Sequence, residues 1–219
     1  ETVCTLCPRR CGAERTETEG HGFCGMPTGV RVARAALHMW EEPPISGVNG
    51  SGTVFFSGCT LRCAYCQNGS ISAGGFGKAI TTQHLREIFD ELIAHGAHNI
   101  NLVTPTHFLP WILPALEPKL SVPVIYNCGG YESVDTLRTL EGKVDIYLPD
   151  LKYADDALAG TLSAAPDYFP VAAAAIQEMF RQTGPCVLED GLLKRGVVIR
   201  HLVLPGQLDN TRRCIDWAV

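Results

Sequence analysis

From residue 53 onward, short apolar runs rich in β-branched and aromatic residues alternate with runs of helical period, and this alternation constrains the fold more than any other feature. Thr53, Val54, Phe55, Phe56 and Ser57 read as the first strand. Leu85, Ile88, Phe89, Leu92 and Ile93 then fall at i, i+3, i+4, i+7 and i+8, one helical stripe that Gly96 terminates. Further strands are predicted at residues 99–104, 122–128, 144–151 and 197–204, and helices at 109–116, 133–140, within 154–183 and from about 209. Apolar strands separated by helices are the pattern of a parallel sheet covered by helices. The predicted fold class is therefore α/β, a partial parallel (β/α)6-type barrel with about five strands present. The sequence ends at Val219 within an amphipathic pattern, so a barrel truncated at its C-terminus is expected. Residues 39–52, with Pro43, Pro44 and four glycine or asparagine positions at 47, 49, 50 and 52, read as linker and turn. They divide the chain into a cysteine-rich N-terminal metal-binding segment with its linker, 1–50, and the barrel, 51–219. In such sheets chemistry gathers where strands run out into βα loops.

Composition narrows the partners. With 46% apolar and 19% charged residues the chain is an ordinary globular one, and its net charge of −5 is scattered. Neither nucleic acid nor an anionic membrane is an expected partner. There is no run of eighteen apolar residues, and the opening Glu1, Thr2, Val3 and Cys4 lack the basic-then-apolar signature of a signal peptide. A cytoplasmic protein is expected.

Seven of the ten cysteines lie within the first 66 residues, in two tight groups. A disulfide scaffold spreads its cysteines through a shorter chain, whereas these spacings suit thiolates converging on metal. Directly after the first strand, Cys59, Cys63 and Cys66 form a C-x3-C-x2-C group on one βα loop, with Tyr65 before the last cysteine. Structural zinc takes four protein ligands, while a cubane cluster held by three cysteines leaves one iron open to an outside ligand.

This loop resembles that of the radical S-adenosylmethionine superfamily. Residues 53–210 resemble more narrowly the pyruvate formate-lyase activating enzyme and its uncharacterised homologues. The resemblance implies that Cys59, Cys63 and Cys66 hold a [4Fe-4S] cluster whose open iron chelates S-adenosylmethionine. An electron entering the sulfonium would then release a 5'-deoxyadenosyl radical that abstracts a hydrogen atom from substrate. Tyr65 would pack against the adenine or into the core. Where the activating enzymes place Gly-Gly-Glu for the cofactor's ammonium, this sequence has Thr104, Pro105, Thr106 and His107; hydroxyls of Thr104 and Thr106 would accept instead, with His107 either assisting or capping the next helix. Where they have Asp-Thr-Asn-Gly, this chain has Asn127, Cys128, Gly129 and Gly130: a polar group is kept and a negative charge lost. Asp150 and Lys152 match the Leu-Asp-Leu-Lys run that surrounds cofactor or substrate, and Arg200, before Val203, Leu204, Pro205 and Gly206, matches the arginine directed to the cofactor's carboxylate. Cys128 reads as an inert buried thiol or a reactive one, and Cys186 and Cys214 as packing residues.

The first group, Cys4, Cys7, Cys11 and Cys24, offers four thiols to zinc, to a second iron-sulfur cluster, or to neither. The function implied is reductive cleavage of S-adenosylmethionine for hydrogen abstraction by an activating-enzyme-like oxidoreductase, acting on a protein or peptide such as a glycyl-radical enzyme and reduced by a flavodoxin or ferredoxin. Two alternatives stand beside it: modification of a peptide or small molecule by the same chemistry, and a non-catalytic iron-sulfur protein for electron transfer or redox sensing.

Overall fold

The computed structural model describes residues 3–219; residues 1 and 2 of the N-terminal segment lie outside the described residues. Eight strands form one sheet in the order β3-β1-β2-β4-β5-β6-β8-β7. Its centre is the parallel set β2 (Ser51–Phe56), β4 (Ile100–Val103), β5 (Val124–Cys128), β6 (Ile146–Pro149) and β8 (Leu192–Val197). Antiparallel strands flank it: β1 (Val30–His38) beside β2, β3 (Lys78–Ile80) beside β1, and β7 (Val187–Glu189) beside β8. The sheet is open, a partial α/β barrel with the five parallel strands that the pattern predicts.

The helices follow the apolar stripes. α3 (Thr82–Ala94) starts where the Thr81 side chain accepts the His84 N–H, and it buries Leu85, Phe89 and Leu92. α4 (Leu109–Ala115) and α5 (Val134–Arg138) cover the same face of the sheet. The region 154–183 is two helices rather than one. α6 (Asp156–Ser163), capped by Asp155, stops at Ala164 in the left-handed region, and a turn closed by Tyr168 N–H donating to the Ala165 carbonyl leads into α7 (Tyr168–Thr183). α8 (Leu208–Ala218) closes the described chain.

Two expectations are corrected. The strand predicted at 197–204 lies earlier, at β8, preceded by β7 in a hairpin whose turn, Asp190-Gly191, has positive φ at both residues. Residues 198–200 still run beside β6, through Val198 N–H to Tyr147 and Arg200 N–H to Pro149, but Pro149 has no N–H to return and the ladder thins to a single Asp150–Arg200 bridge. The second correction concerns 39–52, which is no free linker. α1 (Pro43–Ser46) is pinned by Asn99 Nδ2 donating to the Ile45 carbonyl at 2.8 Å, and Ile45 is fully buried against Ile125, Ile146, Leu148 and Leu193. That burial contributes about 1.5–3 kcal/mol. The division at residue 50 also runs through the sheet, because β1 on its N-terminal side pairs with β2 on the other.

Strand alternation separates two cores. Tyr126 and Cys128 face the helices, while Ile125 and Asn127 face α1, so polar residues that follow the same register gather on the α1 side at the strand ends.

Candidate active site

A cavity of about 420 Å³ opens at the C-terminal ends of the parallel strands, and Cys59, Cys63, Cys66, Tyr65, Thr104, Asn127, Asp150, Lys152 and Arg200 all line it. Of the barrel residues offered for the cofactor from sequence, Thr106 and His107 are not among its lining.

The cysteine loop begins at Gly58, whose φ of +81° and close neighbours exclude a side chain: a Cβ there would lie 2.4 Å from Met26 Cγ and 3.1 Å from the Cys24 carbonyl oxygen. Each thiol has a hydrogen-bonding neighbour. Leu61 N–H donates to Cys59 Sγ at 3.4 Å, Ser163 Oγ to Cys63 Sγ at 3.0 Å, and Ser72 Oγ lies 3.3 Å from Cys66 Sγ. In the metal-free chain, burial pushes the Cys59 thiol up to about 12 and raises Cys63 as well. A bound cation reverses that balance and holds the thiolate.

Opposite the thiols lies a charged network. Arg200 Nε donates to Asp150 at 3.0 Å, Nη1 to Glu41 at 3.1 Å and Nη2 to the Asn127 side-chain oxygen at 2.6 Å. Three of the five guanidinium N–H groups are thus used by the protein, which fixes the plane and leaves two for a ligand. Lys152 Nζ sits 2.5 Å from Asp150. Burial opposes its charge, but Asp150 and Cys63 more than offset it and the lysine pKa rises. Glu41 was not legible as a site residue: it reaches the network only because α1 is anchored, and its second oxygen accepts from Asn101 at 2.9 Å. Burial raises its pKa despite Arg200.

Thr104 has φ +58°, a costly conformation for a β-branched residue, held where it faces the cavity. Thr106 and His107 are corrected. Thr106 is fully buried, donating to Glu132 at 2.9 Å and accepting from Tyr126 at 3.0 Å. His107 is buried outside the cavity lining: its Nε2–H donates to the Ser57 carbonyl at 2.7 Å, and burial lowers its pKa to about 4. A carboxylate does lie in this region, Glu132, but Thr106 and Tyr126 occupy its oxygens outside the cavity lining. Two further residues missed in the sequence hold the strand ends. The Tyr168 hydroxyl accepts from Lys152 N–H at 3.0 Å and lies 2.8 and 2.7 Å from the Gly129 and Asp150 carbonyls. His201 donates to the Leu151 carbonyl at 2.6 Å and accepts from Thr211 at 3.0 Å.

Among the described residues, no three Cys, His, Asp or Glu side chains converge as ligands of a single metal ion. For Cys59, Cys63 and Cys66 this agrees with a cubane, whose thiolates bind separate irons around a volume. Three thiols at a cavity wall, each beside a donor, fit that group. In the N-terminal group, burial raises the Cys24 pKa, and the charges of Cys4 and Cys11 add to that rise. The cavities beside that segment are lined by Pro8 and Arg10 and by Thr5, Leu6 and Arg10, not by its cysteines.

Known proteins bear on the same region. The family model for the radical SAM superfamily matches residues 53–218. An uncharacterised protein of Methanocaldococcus jannaschii, MJ0674, is 32% identical over 215 residues, covering 94% of this chain and 58% of that protein. The chain thus spans about 58% of the length of the curated relative it matches. Among solved structures, Streptococcus suis SuiB bound to precursor peptide SuiA shares the fold at a TM-score of 0.53 and 15% identity over 74% of this chain and 34% of that one. SuiB alone gives 0.53 and 13% over 77% and 36%. With the three-cysteine loop, the cavity and a family match that runs from within β2 to the end of α8, this chain belongs to the radical SAM superfamily.

Proposed function

We propose that the protein abstracts a hydrogen atom from a protein or peptide substrate, as an activating enzyme does for a glycyl-radical enzyme. The observation that carries this reading is the joint presence, around one cavity, of the three thiols, Lys152, Asp150 and Arg200. When bound, the [4Fe-4S] cluster and S-adenosylmethionine supply a reductively generated carbon radical.

The chain's own residues bind, orient and exclude water. Cys59, Cys63 and Cys66 would hold the cluster, with Leu61 N–H, Ser163 and Ser72 beside their sulfurs. Arg200, fixed by three protein acceptors, directs its remaining N–H groups towards a carboxylate. Thr104 and the Asn127 side chain offer oxygens to an ammonium, and Lys152 keeps a positive charge beside Cys63. Phe55, Phe56, Leu61 and Tyr65 line the wall and keep water out. Leu202, half exposed at the cavity, gives an extended polypeptide an apolar surface at the entrance. A precursor peptide is bound in one SuiB structure, and the same substrate class is inferred here. The electron would come from a flavodoxin or ferredoxin in the cytoplasm; no helix of the described chain is long and apolar enough to cross a membrane. An electron carrier without S-adenosylmethionine has no use for the Asp150–Lys152–Arg200 network.

The test is anaerobic incubation of reduced, cluster-loaded protein with S-adenosylmethionine and candidate glycyl-radical proteins or their peptides. Expected are 5'-deoxyadenosine in proportion to substrate and a doublet radical signal on the partner. Deoxyadenosine without a doublet from any candidate removes the activating-enzyme reading, and its absence throughout removes hydrogen abstraction.

A further inference from the structure

Beyond the thiols themselves, a chain of hydroxyl groups runs from the cavity wall to one of them. Tyr65 Oη lies 2.6 Å from Tyr153 Oη, Tyr153 Oη lies 2.6 Å from Ser163 Oγ, and Ser163 Oγ donates to Cys63 Sγ at 3.0 Å. Tyr153 and Ser163 are fully buried, so neither exchanges these partners for water.

Each hydroxyl carries a single proton, and that inventory fixes the direction of the chain. A cluster-bound Cys63 is a thiolate and can only accept, so Ser163 spends its proton on sulfur. Ser163 must then accept from Tyr153, and Tyr153, its own proton committed, must accept from Tyr65. All three O–H dipoles point towards the sulfur. Bonds aligned head to tail polarise one another, so each link strengthens the donation at the end of the chain. The backbone holds Ser163 in place from outside: Arg62 N–H donates to its carbonyl at 3.3 Å, and Arg9 of the N-terminal segment reaches the same carbonyl at 3.3 Å while also holding Thr60, in the cysteine loop, at 2.9 Å.

We propose that the Tyr65–Tyr153–Ser163 relay is a positioning device that sets the reduction potential of the cluster through Cys63. The inference rests on the cluster assignment above. Hydrogen bonds to cluster sulfurs favour the reduced, more negative state, so the relay raises the potential. Because it starts at Tyr65 on the cavity wall, the sulfur is coupled to the side chain at which a bound ligand would lie.

The experiment is a redox titration of the cluster followed by electron paramagnetic resonance, without S-adenosylmethionine, on full-chain wild type and the variants Ser163→Ala, Tyr153→Phe and Tyr65→Phe. Each deletes one oxygen, and iron content per chain confirms loading. At the wild-type midpoint, Ser163→Ala should lower the ratio of reduced to oxidised cluster about tenfold, a ~59 mV fall for a one-electron couple. Tyr153→Phe should lower it about threefold and Tyr65→Phe less than twofold, since each is a link further away. Fully loaded variants that all titrate at the wild-type potential would overturn the relay while leaving the radical assignment intact. Wild-type protein that assembles no cluster would overturn both. Should Ser163→Ala fail to fold, Tyr153→Phe alone decides: an unchanged potential there contradicts the aligned chain.

Discussion

The two cysteine-rich regions differ less in their thiols than in what surrounds them. Cys59, Cys63 and Cys66 stand at the end of a parallel strand, around a cavity that also gathers an aspartate and a lysine from the end of β6 and an arginine that follows β8. Cys4, Cys7, Cys11 and Cys24 have comparable spacing, but the cavities beside them are lined by Thr5, Leu6, Pro8 and Arg10, and their segment is fastened by arginines. Arg9 donates to Thr60, Ser163 and Ala164 carbonyls, and Arg15 to those of Met26, Pro27 and His107. Arg9 also lies over the Phe23 and Tyr131 rings, at 3.8 and 5.0 Å. Spacing proposes a metal site; the strand-end setting decides whether it is also a chemical one.

The largest effect that breaks or upholds this contrast is in iron content. Single Cys59→Ala, Cys63→Ala or Cys66→Ala variants should lose nearly all cluster iron and sulfide, whereas Cys11→Ser should retain both. Equal loss from the two groups would erase the distinction.

Next comes Glu132, whose charge adds to burial, the larger cause, in raising the pKa of both Cys128, which lines the cavity, and Cys7 in the N-terminal segment. Burial raises the Glu132 carboxyl from 4.5 to about 7, against the opposing hydrogen bonds of Thr106 and Tyr126. Since the folded pKa exceeds the unfolded one, the folded state binds the extra proton between these values. The contribution is complete below about 4.5 and is lost as pH rises through about 7. Across that window the stability of wild type should fall by about 3 kcal/mol relative to Glu132→Gln, read from denaturant midpoints at several pH values. Parallel pH profiles for the two proteins would contradict the burial argument.

The smallest effect is at the seam. Arg9→Ala should cost about 2 kcal/mol through its lost charged hydrogen bonds and lower the thermal midpoint, while the cluster stays loaded. Loss of cluster in that variant would make the N-terminal segment part of the site rather than its support.

Much of the fold was legible because its signals are local. The stripe of Leu85, Phe89 and Leu92 became α3, and the apolar runs at 122–128 and 144–151 became β5 and β6. Asp190-Gly191 is a turn dipeptide that marks the β7–β8 hairpin, but the longer apolar run that follows it is the stronger strand signal. Residues 39–52 misled because Pro and Gly mark turns whether or not the turn is buried; only Ile45 against β5, β6 and β8 makes this one part of the core. The cavity lining was legible where a motif carries it, at the three cysteines, Asp150, Lys152 and Arg200. It was not legible where roles depend on tertiary neighbours. Thr106 looks like a strand-end hydroxyl, but its proton goes to Glu132. Glu41 looks like a linker charge, but a buried helix carries it to Arg200.

Cys59, Cys63 and Cys66 are proposed to hold a cluster beside a cavity that fits S-adenosylmethionine. The most direct test is the electron paramagnetic resonance spectrum of the reduced protein before and after S-adenosylmethionine is added under anaerobic conditions. A cluster signal that shifts on addition, and vanishes when the three cysteines are replaced, is the predicted result. A signal indifferent to S-adenosylmethionine would contradict the account and leave an iron-sulfur protein whose Asp150, Lys152 and Arg200 serve some other ligand.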